Sequence, residues 1–563
     1  MTKPKVPGRS TDLEERLSDE RMRCREGKRG QADYWSDRST GGMVATAHYL
    51  ATRAGAEMLI TGGNAFDAAV AAGLALGVCE PAGSGIGGMA IALAYDAARN
   101  RIFVVEGACR APQDATPEVV ARSPSRYRGY EAVAVPTHLA VLSHLLARYG
   151  TLRTGAVLAP ALRVAEEGFR VSSVQHDNTE RYRDVLGQQN AGHLFLDESG
   201  QSLSVGTTVR QPALAATLRR LATAGFEDFY HGEIARAIVA DVRANGGFVN
   251  ERDLASSRLC REGPALSLPF GADMIHTVGP PGGGVALLEM LNILSEMGTS
   301  LDLTMPEGAV LAAAIIRQAR RDRRAFGLKT DACGVGEAAE LLTKDYAIGI
   351  GERIRSELMD VPGAVATQPQ TSDARVGAGE TSHISVMDAA GNAVALTQSI
   401  ERSFGSAVAT PSLGFLYNGY MRAFKLHTPA HPHFLRPGAP ARSNAAPTIG
   451  LRSERPWVAL GSTGSERMAS GIFQVLIRLA RNQGPFEAVH APRLHCTPDS
   501  QVLIEAERFS SETLSALSYH GFSVNPVGPY SFAMGGVQLV LKQGEVFHGV
   551  GEPRRDGAAA GPN

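Results

Sequence analysis

The stretch GETSHISVMD, residues 379–388, leads from a loop that is expected to be flexible, through a single threonine, into a regular strand pattern. After Thr381, apolar side chains alternate with other residues at a period of two, which is typical of a β-strand. A turn over 388–392 and the run 393–400 then predict the returning strand of a hairpin. Thr381 therefore stands at the start of a strand, directly after a loop rich in small and polar residues.

The position of Thr381 is open to two interpretations. A threonine beside a strand usually serves its β-propensity alone. A threonine that becomes a chain N-terminus can instead act as a nucleophile, with its own α-amine as the base for its hydroxyl. Such an amine has a pKa of about 7.7–8.0, so a useful fraction is neutral near physiological pH. The hairpin by itself leaves both interpretations open.

Composition narrows the class of protein. The chain has 563 residues, of which 44% are hydrophobic and 20% charged, as in soluble globular proteins. Its net charge of −1 gives no reason to expect a nucleic acid or an anionic membrane as a partner. No apolar run approaches the ~20 residues that span a bilayer, and the N-terminus lacks the apolar core of a signal peptide. We expect a cytoplasmic protein.

The six cysteines are scattered and form no CxxC pair, which argues against a disulfide framework or a zinc knuckle. We expect neither a metal nor another cofactor. Residues 1–40 are charged and poor in apolar side chains, and they are expected to form a loose or surface-wrapping arm. Residues 553–563 are expected to be frayed.

Between these ends, helix and strand patterns alternate. Helices are predicted at 48–61, 67–77, 139–149, 154–168, 211–225, 232–245, 285–297, within 307–357 and at 468–481. Strands are predicted at 41–46, 90–95, 266–278, 501–505 and 536–542. The Ala-rich helix 67–77 is expected to be buried, and the arginine-dense segment 317–324 is expected to be a solvated helix face. Helices around mostly antiparallel strands indicate a layered α/β or α+β protein.

Three glycine-rich turns interrupt this pattern, at 83–88, 279–284 and 461–465. The first, GSGIGG, is not a phosphate-binding P-loop, because no Lys-Ser/Thr follows it and a strand comes next. A tight, buried turn near a ligand is the better interpretation.

Several segments together resemble the γ-glutamyltranspeptidase family of N-terminal-nucleophile hydrolases. They occur in the family's order and cover residues 41 to about 545, with the arm 1–40 outside. The segments are GGMVATAHYLATRAGAEMLITGGNAFDAAVAAGLALGVCEP, SGIGG, FYHGEIARAI with NGGFVNERDL, PPGGG, ETSHISVMDAAGNAVALT, AAPT and AVHAPRLH.

The resemblance implies a four-layer αββα sandwich made as one precursor that cuts itself between Glu380 and Thr381. The products would be a large fragment, 41–380 with the arm, and a small fragment, 381–563, with 41–545 forming one interwoven catalytic domain. The expected partners are these two fragments and a small-molecule substrate.

By the same resemblance, Thr381 is the nucleophile and Ser399 the second hydroxyl that supports it. Gly464 and Ser465 fall where backbone N–H groups form an oxyanion hole, which an acyl-transfer intermediate needs. His383 is expected to be structural, because the α-amine already serves as the base.

The residues that recognise a γ-glutamyl group in the family are changed in this sequence. Ala108 stands at the position of an arginine and Ala423 at that of an aspartate, and the serine pair has become Ser443 and Asn444. Losing a bidentate guanidinium for a carboxylate is not a conservative change. The family's amide side chains are replaced by Glu401 and Tyr420.

Two residues are candidates to restore binding of a γ-glutamyl group. Arg110 lies two residues from Ala108 and would share its face on a strand. Glu401 would then bind the amine in place of the missing aspartate.

Three functions are therefore compared. The first is a self-processing threonine hydrolase with a non-standard substrate, such as a biosynthetic hydrolase of an amide or carbon–carbon bond in a dehydroproline-type antibiotic pathway. The second is a conventional γ-glutamyl hydrolase or transferase that uses Arg110 and Glu401. The third is an uncleaved, non-catalytic binding protein.

Overall fold

The structure, a computed structural model, describes residues 13, 16–18, 35–123, 127–258, 260–325, 336–359 and 380–562, without the side chains of 336–338. The loop that was expected to be flexible before Thr381 lies outside the described residues, except for Glu380.

Two seven-stranded antiparallel sheets form the middle of the molecule. The first sheet contains the strand that follows Thr381, and its strands in spatial order are Ala558–Ala560, Gly42–Thr46, Ser382–Asp388, Ala393–Ser399, Met89–Asp96, Arg101–Gly107 and Arg261–Gly263. The second sheet has the order Ser36–Ser39, Val546–Val550, Val537–Gln543, Arg455–Ser462, Thr448–Arg452, Asp273–Thr277 and Leu266–Phe270. Smaller sheets are formed by Leu494–Cys496, Gln501–Glu505 and Ser523–Val527, and by Phe169–Arg170 and Thr208–Val209.

The hairpin predicted around Thr381 is confirmed. Its two strands pair with Ser382 opposite Gln398 and Met387 opposite Ala393. The strand Gly42–Thr46 flanks the hairpin on one side and Met89–Asp96 on the other, so both hairpin strands are internal.

Helices cover the outer face of each sheet. The described α-helices are Tyr49–Ile60, Ala65–Cys79, Pro117–Ala121, His138–Tyr149, Thr154–Glu167, Ser173–Arg181, Arg183–Gly187, Pro212–Ala224, Asp228–His231, Glu233–Ala244, Glu251–Ser257, Gly284–Glu296, Pro306–Ala325, Gly336–Leu341, Lys344–Met359, Met468–Ala480, Pro485–His490 and Ser511–Tyr519. Short 3₁₀ segments are Tyr130–Ala132, Asn190–Leu194, Tyr420–Ala423, Ser465–Arg467, Ala506–Arg508 and Phe532–Met534.

Three apolar cores define the layers. One lies between the first sheet and helices that include Ala65–Cys79 and His138–Tyr149. A second lies between the second sheet and helices that include Gly284–Glu296 and Met468–Ala480. The third lies between the two sheets and is formed by apolar side chains of both, such as Leu93 of the first sheet. The four-layer αββα sandwich is therefore confirmed.

The helix Ala65–Cys79 is buried along nearly its whole length, as expected. Asn64 and Asp67 form a reciprocal capping box at its start. Its small residues allow the neighbouring helix to approach closely, since a Cβ on Gly55 would lie 3.0 Å from the carbonyl oxygen of Ala68. The first sheet is thus supported by a tightly packed layer directly behind the hairpin.

His383 fills the gap between the two sheets. Its imidazole is completely buried and bonds to the hydroxyls of Thr397 at 2.9 Å and Ser385 at 3.1 Å. Burial lowers the pKa of His383 to about 3, so the ring is neutral. Gly461 of the second sheet makes room for it, because a Cβ there would lie 2.2 Å from the imidazole Cε1. This arrangement agrees with the structural role expected for His383.

The expectation of a frayed C-terminus is wrong. Ala558–Ala560 pairs with Gly42–Thr46 inside the first sheet, and these three alanines are buried. Part of the arm 1–40 is ordered as well, since Ser36–Ser39 pairs with Val546–Val550 in the second sheet. The sequence pattern failed here because main-chain hydrogen bonds, which need no apolar side chains, hold both segments at the sheet edges.

The arginine-dense face of the helix Pro306–Ala325 also differs from expectation. Arg317 packs over Phe522 and pairs with Glu357 at 2.7 Å. Arg323 donates to the carbonyl oxygen of Ser443 at 2.7 Å. Several of these arginines therefore hold the helix against the rest of the domain, and only some face solvent.

Within the described ranges, no helix has the length and hydropathy needed to cross a bilayer. The same residues contain no cluster of three or more histidine, cysteine, aspartate or glutamate side chains arranged to hold a metal ion.

Candidate active site

Thr381 lies next to the peptide bond that precedes it. Its side chain is buried, and its hydroxyl donates to the carbonyl oxygen of Glu380 at 2.7 Å. The hydroxyl of Ser399 donates to the same oxygen at 2.8 Å and lies 3.2 Å from the Thr381 hydroxyl. The strand register explains this meeting, because Ser382 pairs with Gln398 and places the next pair of residues together.

The turn at 83–88 holds Ser399 in place, and its predicted burial is confirmed. A Cβ on Gly88 would lie 2.4 Å from the carbonyl oxygen of Ser399, so only glycine allows this approach. The hydroxyl of Ser84 lies 2.8 Å from that of Ser382. The turn therefore supports both strands of the hairpin beside Thr381.

Two buried carboxyl groups flank the Glu380–Thr381 bond. Burial raises the pKa of Glu80 to about 8, to which the charge of Glu380 contributes, while a hydrogen bond from Ser382 opposes the rise. Burial likewise raises the pKa of Glu380 to about 7, against the attraction of Arg555. Both carboxyl groups therefore titrate close to neutral pH.

Thr381 opens into a cavity of about 310 Å³. The structure brings seven of the predicted site residues to this cavity. They are Thr381, Ser399, Glu401, Tyr420, Ser443, Asn444 and Ser465. The other lining residues are Arg422, Ala423, Arg442, Glu466, Arg467 and Met468.

The turn at Gly464 and Ser465 has two consecutive residues with positive φ. Gly464 has φ of 101° and Ser465 of 55°, and a Cβ on Gly464 would lie 2.6 Å from the Cα of Gly535. Among the described residues, neither N–H group donates to a protein acceptor. The two donors are thus available to a negatively charged oxygen, although only Ser465 lines the cavity itself. Their assignment as an oxyanion hole stays a prediction.

Arg110 is not brought to the cavity. Its guanidinium lies 3.7 Å from Glu106 and 3.4 Å from the carbonyl oxygen of Gly438. The argument from strand alternation failed because the strand Arg101–Gly107 ends before Ala108, so the two-residue period no longer applies.

Glu401 lines the cavity but already has a cationic partner. Its carboxylate lies 3.1 Å from the guanidinium of Arg422. Burial raises the pKa of Glu401, and Arg422 and Arg402 oppose that rise. An amine that reached this carboxylate would compete with Arg422.

The sequence analysis missed the arginines of the cavity. Arg422, Arg442 and Arg467 line its wall together with Thr381. Each is adjacent to, or two residues from, a position that was already singled out, namely Ala423, Ser443 and Ser465. A scan of the charged neighbours of those positions would have found all three.

The turn at 279–284 positions Ser443 and Asn444. The N–H of Ser443 donates to the carbonyl oxygen of Pro281 at 2.9 Å, and that of Gly283 to Ala445 at 2.7 Å. A Cβ on Gly283 would lie 2.3 Å from the carbonyl oxygen of Asn444. The second glycine turn therefore forms the support of the cavity wall.

Two packed antiparallel sheets between helices, with a buried threonine at the head of an internal strand, define the class of N-terminal-nucleophile hydrolases. A sequence model of the family Gamma-glutamyltranspeptidase matches residues 51–562. The chain belongs to the γ-glutamyltranspeptidase family.

Individual relatives agree with this assignment. The chain is 30% identical to the glutathione hydrolase proenzyme of Bacillus subtilis (strain 168), over 93% of this chain and 92% of that protein. It is 33% identical to the acylase ACY 1 proenzyme of Pseudomonas sp. (strain SE83), over 80% and 82% of the two chains. The crystal structure of cephalosporin acylase from Bacillus halodurans superposes with a TM-score of 0.83 at 28% identity, covering 94% of this chain and 97% of that one. Relatives with different names thus share this fold, so the substrate must be argued from the cavity.

Proposed function

We propose that this protein is a self-processing threonine hydrolase that cuts its own Glu380–Thr381 bond and then hydrolyses a small-molecule acyl substrate. The observation that carries the proposal is the pair of hydroxyls on one carbonyl oxygen. Thr381 and Ser399 both donate to the oxygen of Glu380, at 2.7 and 2.8 Å. A carbonyl polarised in this way lies beside the hydroxyl that attacks it.

The self-cleavage needs no reactant other than water. Thr381 Oγ1 adds to the carbonyl carbon of Glu380, the C–N bond breaks, and the hydroxyl proton passes to the nitrogen. Water then hydrolyses the resulting ester. The products are a C-terminal main-chain carboxylate at Glu380 and a free α-amine at Thr381.

The free amine allows the same hydroxyl to act on a substrate. It accepts the hydroxyl proton as Thr381 attacks the substrate carbonyl and returns it to the leaving group. Ser399 orients the nucleophile, and the N–H groups of Gly464 and Ser465 stabilise the oxyanion. Water releases the acyl group from Thr381.

The proposed substrate is not a simple γ-glutamyl compound. Ala423 offers no carboxylate, Ala108 no guanidinium, and Glu401 is paired with Arg422. The names of the two acylase relatives support hydrolysis of an amide, and the altered cavity supports a dedicated biosynthetic substrate. We include in this proposal the hydrolysis of an amide or carbon–carbon bond in a dehydroproline-type antibiotic pathway, in the cytoplasm.

A conventional γ-glutamyl hydrolase is the second candidate, because the Bacillus subtilis relative is a glutathione hydrolase. It would have to bind the γ-glutamyl carboxylate without Arg110, and its amine next to Arg422. Release of glutamate from γ-glutamyl-p-nitroanilide at rates comparable to a glutathione hydrolase would favour this candidate over the first.

Denaturing electrophoresis tests the cleavage. The purified wild type is expected to give two bands, for residues 1–380 and 381–563, and Thr381→Ala a single full-length band, because it lacks the attacking hydroxyl. N-terminal sequencing of the small band must read Thr-Ser-His. Ser382→Ala, next to the nucleophile, serves as the control and should still be cut. A single band for the wild type would instead indicate the non-catalytic binding protein.

A further inference from the structure

The side chains that line the cavity carry more positive than negative charge. Of its two carboxylates, Glu401 pairs with Arg422 at 3.1 Å. Glu466 forms an ion pair with Arg320 of the helix Pro306–Ala325. Both negative groups are therefore neutralised. Two further arginines of the wall remain, and the cavity carries an excess of positive charge.

Arg467 is the buried one of these two arginines. The residue is 3% exposed, and its Nε is buried without a hydrogen-bond partner. Over the described part of the chain, its side chain makes neither an ion pair nor a hydrogen bond. Burial lowers the pKa of Arg467 to about 10, so it remains charged at neutral pH. A buried guanidinium without an anion is costly, and a bound carboxylate would relieve that cost.

Arg442 stands at the exposed rim of the same cavity. Burial of its guanidinium and the neighbouring cations lower its pKa, while the two cavity carboxylates oppose this. No ion pair within 4.0 Å joins Arg442 to a described residue. An anion that enters the cavity thus meets one cation at the rim and a second one inside.

We infer that Arg467, assisted by Arg442, binds a carboxylate of the substrate, and that the acyl group transferred to Thr381 carries this carboxylate and no ammonium group. The inference rests on the proposed function and specifies its substrate class as amides, or analogous acyl compounds, of short dicarboxylic acids. It gives Arg467 and Arg442 the role of specificity-determining residues.

Four features of the cavity favour this class. A guanidinium matches a planar carboxylate through two parallel hydrogen bonds. The acyl group becomes bonded to Thr381 and must occupy the cavity that Thr381 and Arg467 line together, so the carboxylate is assigned to this group. An ammonium group on the substrate would be repelled by the three arginines of the wall, and both cavity carboxylates already have cationic partners. The cavity of about 310 Å³ lies at the small end of ligand pockets, which favours a short acyl chain.

The processed wild-type enzyme tests the inference with p-nitroanilides of dicarboxylic acids of two to five carbons. Glutaryl-p-nitroanilide has two matched controls: pentanoyl-p-nitroanilide lacks its carboxylate, and γ-glutamyl-p-nitroanilide adds an ammonium group. We expect at least one acidic anilide to exceed its neutral analogue in kcat/KM by about tenfold or more, the effect of one charged hydrogen bond. Preference for pentanoyl or γ-glutamyl groups, or turnover of none of the acidic anilides, would overturn the inference.

Variants then assign the preference to the two arginines. Arg442→Gln and Arg467→Lys are expected to raise KM for the acidic anilide about tenfold or more, while the neutral anilide changes much less. Arg324→Gln is the control for loss of a positive charge, since Arg324 lies outside the cavity, 3.6 Å from Asp499. Equal losses for acidic and neutral anilides would contradict the assignment.

Electrophoresis separates this test from the test of the proposed function. A wild type that stays uncut and inactive disproves the self-processing hydrolase. A wild type that is cut and active, but indifferent to the acyl carboxylate, disproves only the present inference. Each variant is compared only after both fragments have been seen on the gel.

Discussion

Arg422 determines what Glu401 can do in the cavity. The two side chains are 3.1 Å apart and both are largely buried, with 27% and 19% of their side-chain surface exposed. A carboxylate held by a guanidinium is a weak site for a second cation, because the newcomer must displace a charge-assisted hydrogen bond. We therefore expect Arg422 to disfavour substrates that carry an ammonium group.

Replacing Arg422 should shift this selectivity. In Arg422→Gln, Glu401 loses its cation and becomes available to an ammonium group. We expect the ratio of kcat/KM for γ-glutamyl- over glutaryl-p-nitroanilide to rise by about tenfold, the scale of one charged hydrogen bond. Arg422→Lys keeps the charge and is the matched control. An unchanged ratio in Arg422→Gln would show that Glu401 does not contact the substrate.

Glu80 and Glu380 make the uncut precursor sensitive to pH. Their pKa values in the folded chain are about 8 and about 7, above the 4.5 of an unfolded glutamate, chiefly because both are buried. Between about pH 4.5 and about pH 8, the folded state thus binds more protons than the unfolded state. Its free energy of unfolding must fall as the pH rises through this window.

Glu80→Gln in the uncut Thr381→Ala background tests this dependence. Thr381→Ala alone should lose stability on the order of a few kcal/mol as the pH rises from about 5 to about 8. The amide cannot ionise, so the double variant should lose less, with the remainder due to Glu380. Thermal unfolding followed by circular dichroism measures both. Parallel curves for the two variants would refute the role given to Glu80.

Single residues were predictable from sequence where a strand fixed their direction. The hairpin register brings Thr381 and Ser399 together, as expected. Arg110 was assigned from strand alternation, but its strand had already ended. Arg442 and Arg467 lie outside the strands and α-helices, so the sequence could name them as charged neighbours of predicted site residues, but no period told which way their side chains point.

The glycine-rich turns at 279–284 and 83–88 position residues that line the cavity. The segment 279–284 lies so close to residues 443–445 that main-chain atoms nearly touch, and this contact fixes Ser443 and Asn444. The turn at 83–88 does the same for Ser399. A side chain at such a position would have to push the cavity wall aside.

Gly283→Ala tests the support of the wall. The added Cβ would lie 2.3 Å from the carbonyl oxygen of Asn444, although φ of −97° at this residue suits alanine. We expect a stability loss of about 1–3 kcal/mol and an increased KM for the substrate. Gly349→Ala, in an open helix position, should instead stabilise by about 0.5–1 kcal/mol. Unaltered kinetics in Gly283→Ala would mean that the wall does not depend on the turn.

The long helices and the hairpin after Thr381 were predicted within a few residues, because their periodicity is strong. Internal strands such as Arg101–Gly107 and Arg455–Ser462 were not predicted, and the segment 266–278 forms two strands, Leu266–Phe270 and Asp273–Thr277. The terminal elements were missed. Ala558–Ala560 consists of three alanines, a composition that favours no strand, and it is held there by its neighbour Gly42–Thr46. Tertiary pairing decided this element, and a single sequence does not contain that information.

The C-terminal segment is attached to the rest of the fold by buried ion pairs. Arg554 is fully buried between Glu505 at 2.6 Å and Glu552 at 2.8 Å. Although burial acts to raise it, Arg493 and Arg554 lower the pKa of Glu552 to about 2. The neighbouring Arg555 lies near Glu80 and Glu380, so this segment also balances charge beside Thr381.

Arg554→Met should therefore destabilise the whole domain. It leaves two buried carboxylates without one of their cations, which costs about 3–5 kcal/mol. Thermal unfolding at neutral pH measures the loss. Arg219→Met breaks a mostly exposed pair with Glu166 and should cost no more than about 1 kcal/mol. Similar losses in the two variants would show that the buried network contributes no more than a surface pair.

The composition of the first sheet has a consequence for assembly. Strands from before residue 380 are interleaved in this sheet with strands from after it: Gly42–Thr46 lies between Ala558–Ala560 and Ser382–Asp388, and Met89–Asp96 lies beside Ala393–Ser399. Before the proposed cleavage at Glu380–Thr381, these strands meet within one chain. After cleavage, the same sheet joins two chains, and once unfolded they could reform it only by a second-order encounter. Folding must therefore precede cutting, and the mature protein should lose activity irreversibly on heating while the Thr381→Ala precursor refolds at a rate independent of its concentration.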